Sequence, residues 1–228
     1  MLEWARGSKW LLACALAAGL VVGSGTAQTR KPASPPRANA AAEALRLNNV
    51  GVAYIGQQRL QDALRAFRRA QQLDPKLQSA RLNQGIALLN LQRFSEARRL
   101  LRGIAERDPN DPKVWYNLGL LERADGQDKA ALEDFQRAAK LAPADADTFY
   151  FLGAIYSQLH REREAIAALK QALALDPFHA SAEFELARAY QRLNDTDAAK
   201  PHLARFQDLT RNKLGALVGQ AYGEQGPL

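Results

Sequence analysis

Residues 112–145 read PKVWYNLGLLERADGQDKAALEDFQRAAKLAPAD, and the same pattern recurs in altered form on both sides of this stretch. Pro143, near its end, lies 34 residues after Pro109, which lies 34 after Pro75; Pro177 adds one more step. Gly119 belongs to a column of Gly51, Gly85, Gly153 and then Ala187, and Ala131 to a column of Ala63, Ala97, Ala165 and Ala199. A fixed period of this length marks a stack of small supersecondary units, each of which buries its apolar face only against its neighbours.

The columns have a physical reading if each unit is two antiparallel helices. A glycine inside a helix costs about 1 kcal/mol against alanine, so a glycine repeated at one phase implies a compensating close contact. Phe67, Leu101, Phe135, Leu169 and Leu203 form a bulky column of the same period, suited to fill the seam that the small residues leave. Between the two helices stand Gly126, His160 and Asn194, residues tolerant of turns, with Gln58 and Gln92 less comfortable at the same phase. Asp74-Pro75, Asp108-Pro109, Ala142-Pro143 and Asp176-Pro177 close each second helix, because proline disfavours helical geometry in the residue before it. Low aromatic content, 7%, with abundant Ala, Leu, Arg and Gln agrees with an all-α chain.

Trp115, Leu118, Gly119, Ala131, Phe135 and Pro143 resemble the signature of the tetratricopeptide repeat, with a departure at Glu122, where tyrosine is usual. Leu47, Val50, Gly51, Tyr54, Ala63, Phe67, Ala70 and Pro75 resemble it with conservative changes. The resemblance covers five units starting near residues 44, 78, 112, 146 and 180, within a domain spanning 43–214. It implies a right-handed superhelical solenoid of helix-turn-helix units whose first helices line a concave groove for a peptide or a partner's helix. The fifth unit lacks the closing proline and carries Pro201 in its second helix, as suits a terminal cap.

Groove candidates follow from phase. Asn49, Asn83 and Asn117 share one position on successive first helices, and a ladder of amides, each with donors and an acceptor, suits the backbone of an extended peptide. Phe151 and Glu185 end the ladder. Tyr116, Tyr150, Phe151 and Phe184 are expected to border the groove, with Lys113, Arg123 and Arg188 adding positive charge. The family's clamp for C-terminal carboxylates of chaperones is not expected: its five slots here hold Asn48, Val52, Asn83, Lys113 and Asn117, and two of the five agree.

Arg6 and Lys9 precede an apolar run from Trp10 to Val22, followed by Gly25 and Ala27. This is the layout of a secretory signal, residues 1–27, cleaved before Gln28; thirteen apolar residues reach about 20 Å as helix, short of the roughly 30 Å hydrocarbon layer. A periplasmic or secreted protein of exported bacterial type, with no stable membrane span once the signal is removed, is therefore expected; an uncleaved anchor is the alternative. Cys14 is the one cysteine and lies in this segment, so the mature chain would need no disulfide. Residues 28–42, rich in Pro and Ala, read as a disordered linker, and 215–228 as a Gly-rich tail.

Glu43 to Pro109 carries 12 Lys/Arg and 6 Asp/Glu, net +6, and Asn110 to Pro177 carries 8 and 11, net −3. The basic half includes Arg65, Arg68, Arg69, Arg98, Arg99 and Arg102 on second helices, which reads as a solvated face. With a pI near 9.7 it keeps nucleic acid or another polyanion as an alternative ligand, although export and the lack of a basic-aromatic reader motif argue against nucleic acid. His160, His179 and His202 are scattered, and no phosphate-binding glycine loop is present, so neither enzyme activity nor a cofactor is expected. The expected function is a scaffold or adaptor for protein partners in the cell envelope, acting alone or as an accessory of an envelope-assembly enzyme complex.

Overall fold

A computed structural model describes residues 37–214, and the regular elements among them are ten α-helices. They pair as α1 (Arg37–Gly56) with α2 (Leu60–Leu73), α3 (Gln78–Asn90) with α4 (Phe94–Ala105), and α5 (Pro112–Ala124) with α6 (Asp128–Leu141). The pairs α7 (Ala146–Gln158) with α8 (Glu162–Leu175) and α9 (Ala180–Arg192) with α10 (Thr196–Arg211) complete five units. The first helices of units two to five begin at residues 78, 112, 146 and 180. Helix α1 begins at Arg37, inside the stretch read from sequence as linker. The Ala-rich run before Glu43 explains this, since alanine has the strongest helix propensity and outweighs the cost of fixing a few more residues. The expected signal, the rest of the linker and the tail lie outside the described residues.

Each unit is locked by the glycine column. A Cβ built on Gly51 would lie 2.4 Å from the Phe67 ring; on Gly85, 2.6 Å from Leu101; on Gly119, 2.8 Å from Phe135; and on Gly153, 2.4 Å from Leu169. All four bulky partners are fully buried. The close approach that offsets the helix cost of glycine is therefore real in four units. In the fifth, Ala187 replaces glycine and Leu203 is only half-buried, because no further unit packs on α10 within the described residues.

The interhelical turns all use left-handed backbone: φ is +58° at Gln58, +57° at Gln92, +73° at Gly126, +58° at His160 and +60° at Asn194. The residue after each turn returns its N–H to a carbonyl five positions back, as from Arg93 to Leu88 and from Gln127 to Glu122, the C-cap geometry that favours glycine. Gln58 and Gln92 hold it with a Cβ, at a steric cost that glycine avoids. Replacing Gln92 by Gly is expected to stabilise the protein by about 1 kcal/mol, and Gly126→Gln to destabilise it by a similar amount, both read from urea unfolding midpoints.

Candidate functional site

The first helices line one cavity of about 980 Å³. Leu45, Asn48, Asn49 and Val52 of α1, Leu82, Asn83 and Ile86 of α3, and Lys113, Tyr116 and Asn117 of α5 face it. Asp111 and Asp145, at the N-caps of α5 and α7, and Asp147 with Thr148 on the first turn of α7 close its far end. Five of the residues singled out from sequence, Asn49, Asn83, Lys113, Tyr116 and Asn117, thus meet in one place. Arg123, Tyr150 and Phe151 do not line it.

The three asparagines are placed differently. Asn49 is exposed, whereas Asn83 and Asn117 are buried. Asn83 Nδ2 donates to Asn48 Oδ1 at 3.0 Å, joining α3 to α1 across the floor. That bond uses the Asn48 oxygen and an Asn83 N–H, so the Asn48 amide nitrogen and the Asn83 oxygen keep hydrogen-bonding capacity at the cavity wall. Asn117 Nδ2 donates to the Lys113 carbonyl at 2.8 Å, which leaves its own oxygen as an acceptor. The floor therefore offers both donors and acceptors at fixed positions between aliphatic side chains.

Phe151 occupies the ladder phase but is core. It is 3% exposed, stacks on Phe135 at 5.4 Å between ring centroids, and meets Tyr116 edge-on at 5.8 Å. Arg123 lies over its ring at 5.0 Å. A phenylalanine at this phase turns inward because burial of its ring outweighs any gain from facing water. Tyr150 is half-buried and packs against His179 at 4.8 Å. Phe184 is exposed and packs on Phe206 at 5.0 Å in the last unit, away from the cavity.

The expected positive groove charge is not what the structure shows. Arg188 pairs with Glu185 at 3.0 Å, Arg123 belongs to the aromatic cluster, and the charged lining of the cavity is Lys113 against Asp111, Asp145 and Asp147. Sequence reading missed these three acids, although a signal existed. Leu77, Asp111, Asp145 and His179 stand 34 residues apart in the column that starts each first helix, and the two acids of that column line the cavity, with Asp147 two residues beyond the second.

On the basic second helices Arg65, Arg68, Arg69 and Arg99 are exposed, as a solvated face requires, but Arg98 and Arg102 are not part of it. Arg98 bonds Glu122 at 2.7 Å and Asp125 at 2.6 Å, and Arg102 bonds Glu122 at 3.2 Å and Asp134 at 3.0 Å. Glu122 and Asp134 are buried, so α4 is clasped to α5 and α6 by charge-assisted bonds. Glu122, which departs from the repeat signature, is the centre of this clasp. Burial first, and then the nearby Glu122 carboxylate, push the Asp134 carboxyl up to about 6 against the opposing pull of Arg102. Arg98 and Arg102 are thereby engaged by carboxylates of the fold, while Arg65 stays exposed beside Asp62.

The histidines serve the framework. His179 Nδ1 accepts from the Ala182 N–H at 3.1 Å and caps α9, while its Nε2 lies 3.2 Å from Asp147 Oδ1. His202 Nδ1 is 2.6 Å from Glu183, joining α10 to α9. His160 takes up the left-handed turn position before α8.

Family models of the tetratricopeptide repeat match residues 54–121, 112–145, 146–179 and 181–209. Together they span more than half of the chain, and the chain belongs to the tetratricopeptide repeat family. MamA from Desulfovibrio magneticus RS-1, residues 41 to the end, is similar in structure with a TM-score of 0.65 and 24% identity, over 75% of this chain and 97% of that one. TTC0263, a thermophilic TPR protein of Thermus thermophilus, is similar with a TM-score of 0.62 and 24% identity, over 75% of this chain and 93% of that one. At this identity the likeness is one of fold. No curated protein gives a significant match.

Proposed function

We propose that the protein is an interaction scaffold that holds an extended segment of a partner protein in the cavity formed by α1, α3 and α5. The observation that carries this reading is the floor itself: the Asn48–Asn83 pair and Asn117 set amide donors and acceptors among Leu45, Val52, Leu82 and Ile86. An extended peptide presents an alternating N–H and C=O edge with side chains to either side, which is the complement of such a floor. A rigid backbone-reading floor also loses little entropy on binding, since Asn48, Asn83 and Asn117 are held before the ligand arrives.

The double variant Asn83→Ala with Asn117→Ala tests it. Proteins captured by the wild-type chain from an envelope extract are expected to be lost from the variant, with helicity retained by circular dichroism. A folded double variant that keeps every captured partner would rule out the groove as the binding face.

The proposal includes the compartment. Arg6 and Lys9, the apolar run to Val22 and the small residues Gly25 and Ala27 support export and action in the envelope or outside the cell. Mass spectrometry of protein recovered from that compartment is expected to give a chain starting near Gln28, and a chain retaining Met1 would instead favour an anchored protein.

A further inference from the structure

The cavity has two chemically distinct ends. Leu45, Val52, Leu82 and Ile86 make one end aliphatic, and Leu45 is 52% exposed although it is a large apolar side chain. Asp111, Asp145 and Asp147 make the other end acidic, against Lys113. This acidity stands out in a chain whose formal net charge is +7. Each carboxylate directs one oxygen to the fold. Asp111 Oδ1 accepts from the Lys113 N–H at 2.9 Å, Asp145 Oδ2 accepts from the Thr148 hydroxyl, and Asp147 Oδ1 faces His179. The second oxygens remain to receive a ligand's donors. Among the aliphatic residues lie Asn48 and Asn83, at 7% and 3% exposure, whose remaining donor and acceptor fit a peptide unit.

We infer that the groove selects a partner segment of one charge class: an extended stretch with aliphatic side chains over Leu45 and Leu82 and Lys or Arg side chains at Asp111, Asp145 and Asp147. The inference rests on the groove being the partner-binding face. Carboxylates in a concave, partly desolvated site attract a cation more strongly than the same charges on an open surface. An acidic segment laid along the same floor would meet three like charges, so the rim rejects as well as selects. The surrounding positive charge of the chain acts at longer range and is damped beyond about 8 Å at physiological salt, whereas the rim acts in contact.

Random 12-residue peptides displayed on phage and selected on the full chain provide the probe. The binders are then resynthesised with capped ends, so that only side-chain charge counts, and measured by fluorescence anisotropy against three proteins. These are the wild type, Asn49→Trp, which fills the groove from an exposed position, and the triple variant Asp111→Asn/Asp145→Asn/Asp147→Asn, in which the new amides keep an acceptor for capping. The expected binders carry Lys or Arg with Leu, Ile or Val, lose binding to Asn49→Trp, and bind the triple variant roughly tenfold more weakly or worse. Binders that are blocked by Asn49→Trp but are neutral or acidic, or that ignore the triple variant, overturn the charge class and leave the groove reading standing. If no binder emerges, or none is blocked by Asn49→Trp, both fail together.

Discussion

Arg102→Met is expected to destabilise the protein by about 3 kcal/mol at pH 7, and by clearly less at pH 5. Arg102 itself is partly exposed, but the carboxylates it serves are not: the Glu122 and Asp134 side chains are 4% and 2% exposed. Removing the guanidinium leaves Glu122 with Arg98 alone and, among the described residues, Asp134 with no cation within ion-pair distance. The cost then falls on desolvated negative charge, which explains why losing a half-exposed arginine should matter so much. The partial exposure of Arg102 places the effect at the lower end of the range for a broken buried pair.

The pH dependence follows from Asp134. Its carboxyl sits at about 6 in the folded protein against an ordinary 3.8, raised mainly by burial. The folded state therefore holds this proton more tightly than the unfolded state. The stabilisation linked to it is fully present below 3.8 and is lost as pH rises through 6, with a span of at most about 3 kcal/mol. Without Arg102 the larger of the two pulls that oppose protonation is lost, with Arg137 supplying the other, so protonation at pH 5 neutralises the orphaned group and recovers part of the loss. Adding Asp134→Asn to Arg102→Met is expected to recover part of the stability at pH 7 and to flatten the pH dependence between 4 and 6. Urea unfolding followed by circular dichroism at both pH values checks this, and an Arg102→Met variant equally destabilised at pH 5 and pH 7 would contradict it.

Phe135→Ala should cost still more, about 4 kcal/mol. Phe135 is fully buried in the middle unit, fits against Gly119, and stacks on Phe151 of the next unit. Truncation removes contacts both within a unit and between units, and helices held on either side cannot close fully over the void. In a solenoid, where each unit is stabilised by its neighbours, a lesion at the centre separates the flanking pairs and should broaden the thermal transition. Leu203→Ala, at the same phase in the last unit, should cost only about 1 kcal/mol because Leu203 is half-buried. Gly119→Ala provides the complementary check. Its Cβ would clash with the Phe135 ring, so it should be destabilising in the wild type and much milder beside Phe135→Ala, a coupling that a double-mutant cycle in thermal or urea unfolding would measure.

These contrasts show how the sequence and the structure divide the information. Gly119 and Phe135 were legible because a packed seam must repeat wherever the units repeat, so its chemistry surfaces as a column. The left-handed turns were legible at Gly126 and Asn194 and less so at Gln58 and Gln92, where tertiary packing holds a residue that its own propensity would not choose. The clasp was hidden because Arg98 and Arg102 look like surface cations until α4 is laid against α5 and α6. Glu122, visible only as a departure from the signature, is what draws them in. The groove was half legible. Asn49, Asn83 and Asn117 meet as their shared phase predicts, but Phe151 at that phase turns into the core. The acidic end arises from Asp111 and Asp145, which sit in the junctions between units rather than on the helix face that periodicity highlights. Asp111 caps α5 and lines the cavity at once, and helical faces show only the residues within the helix.

The proposed binding face is formed by the first helices of units one to three. Hydrogen–deuterium exchange of the full chain with and without a bound partner segment tests it most directly. Added protection is expected to concentrate in α1, α3 and α5 and in the junctions at Asp111 and Asp145, with α2 and the first two turns of α4 unchanged; Ile104, at the end of α4, itself lines the cavity. Protection concentrated instead on α2 and α4, around Arg65, Arg68 and Arg99, would contradict it and move recognition to the basic second helices.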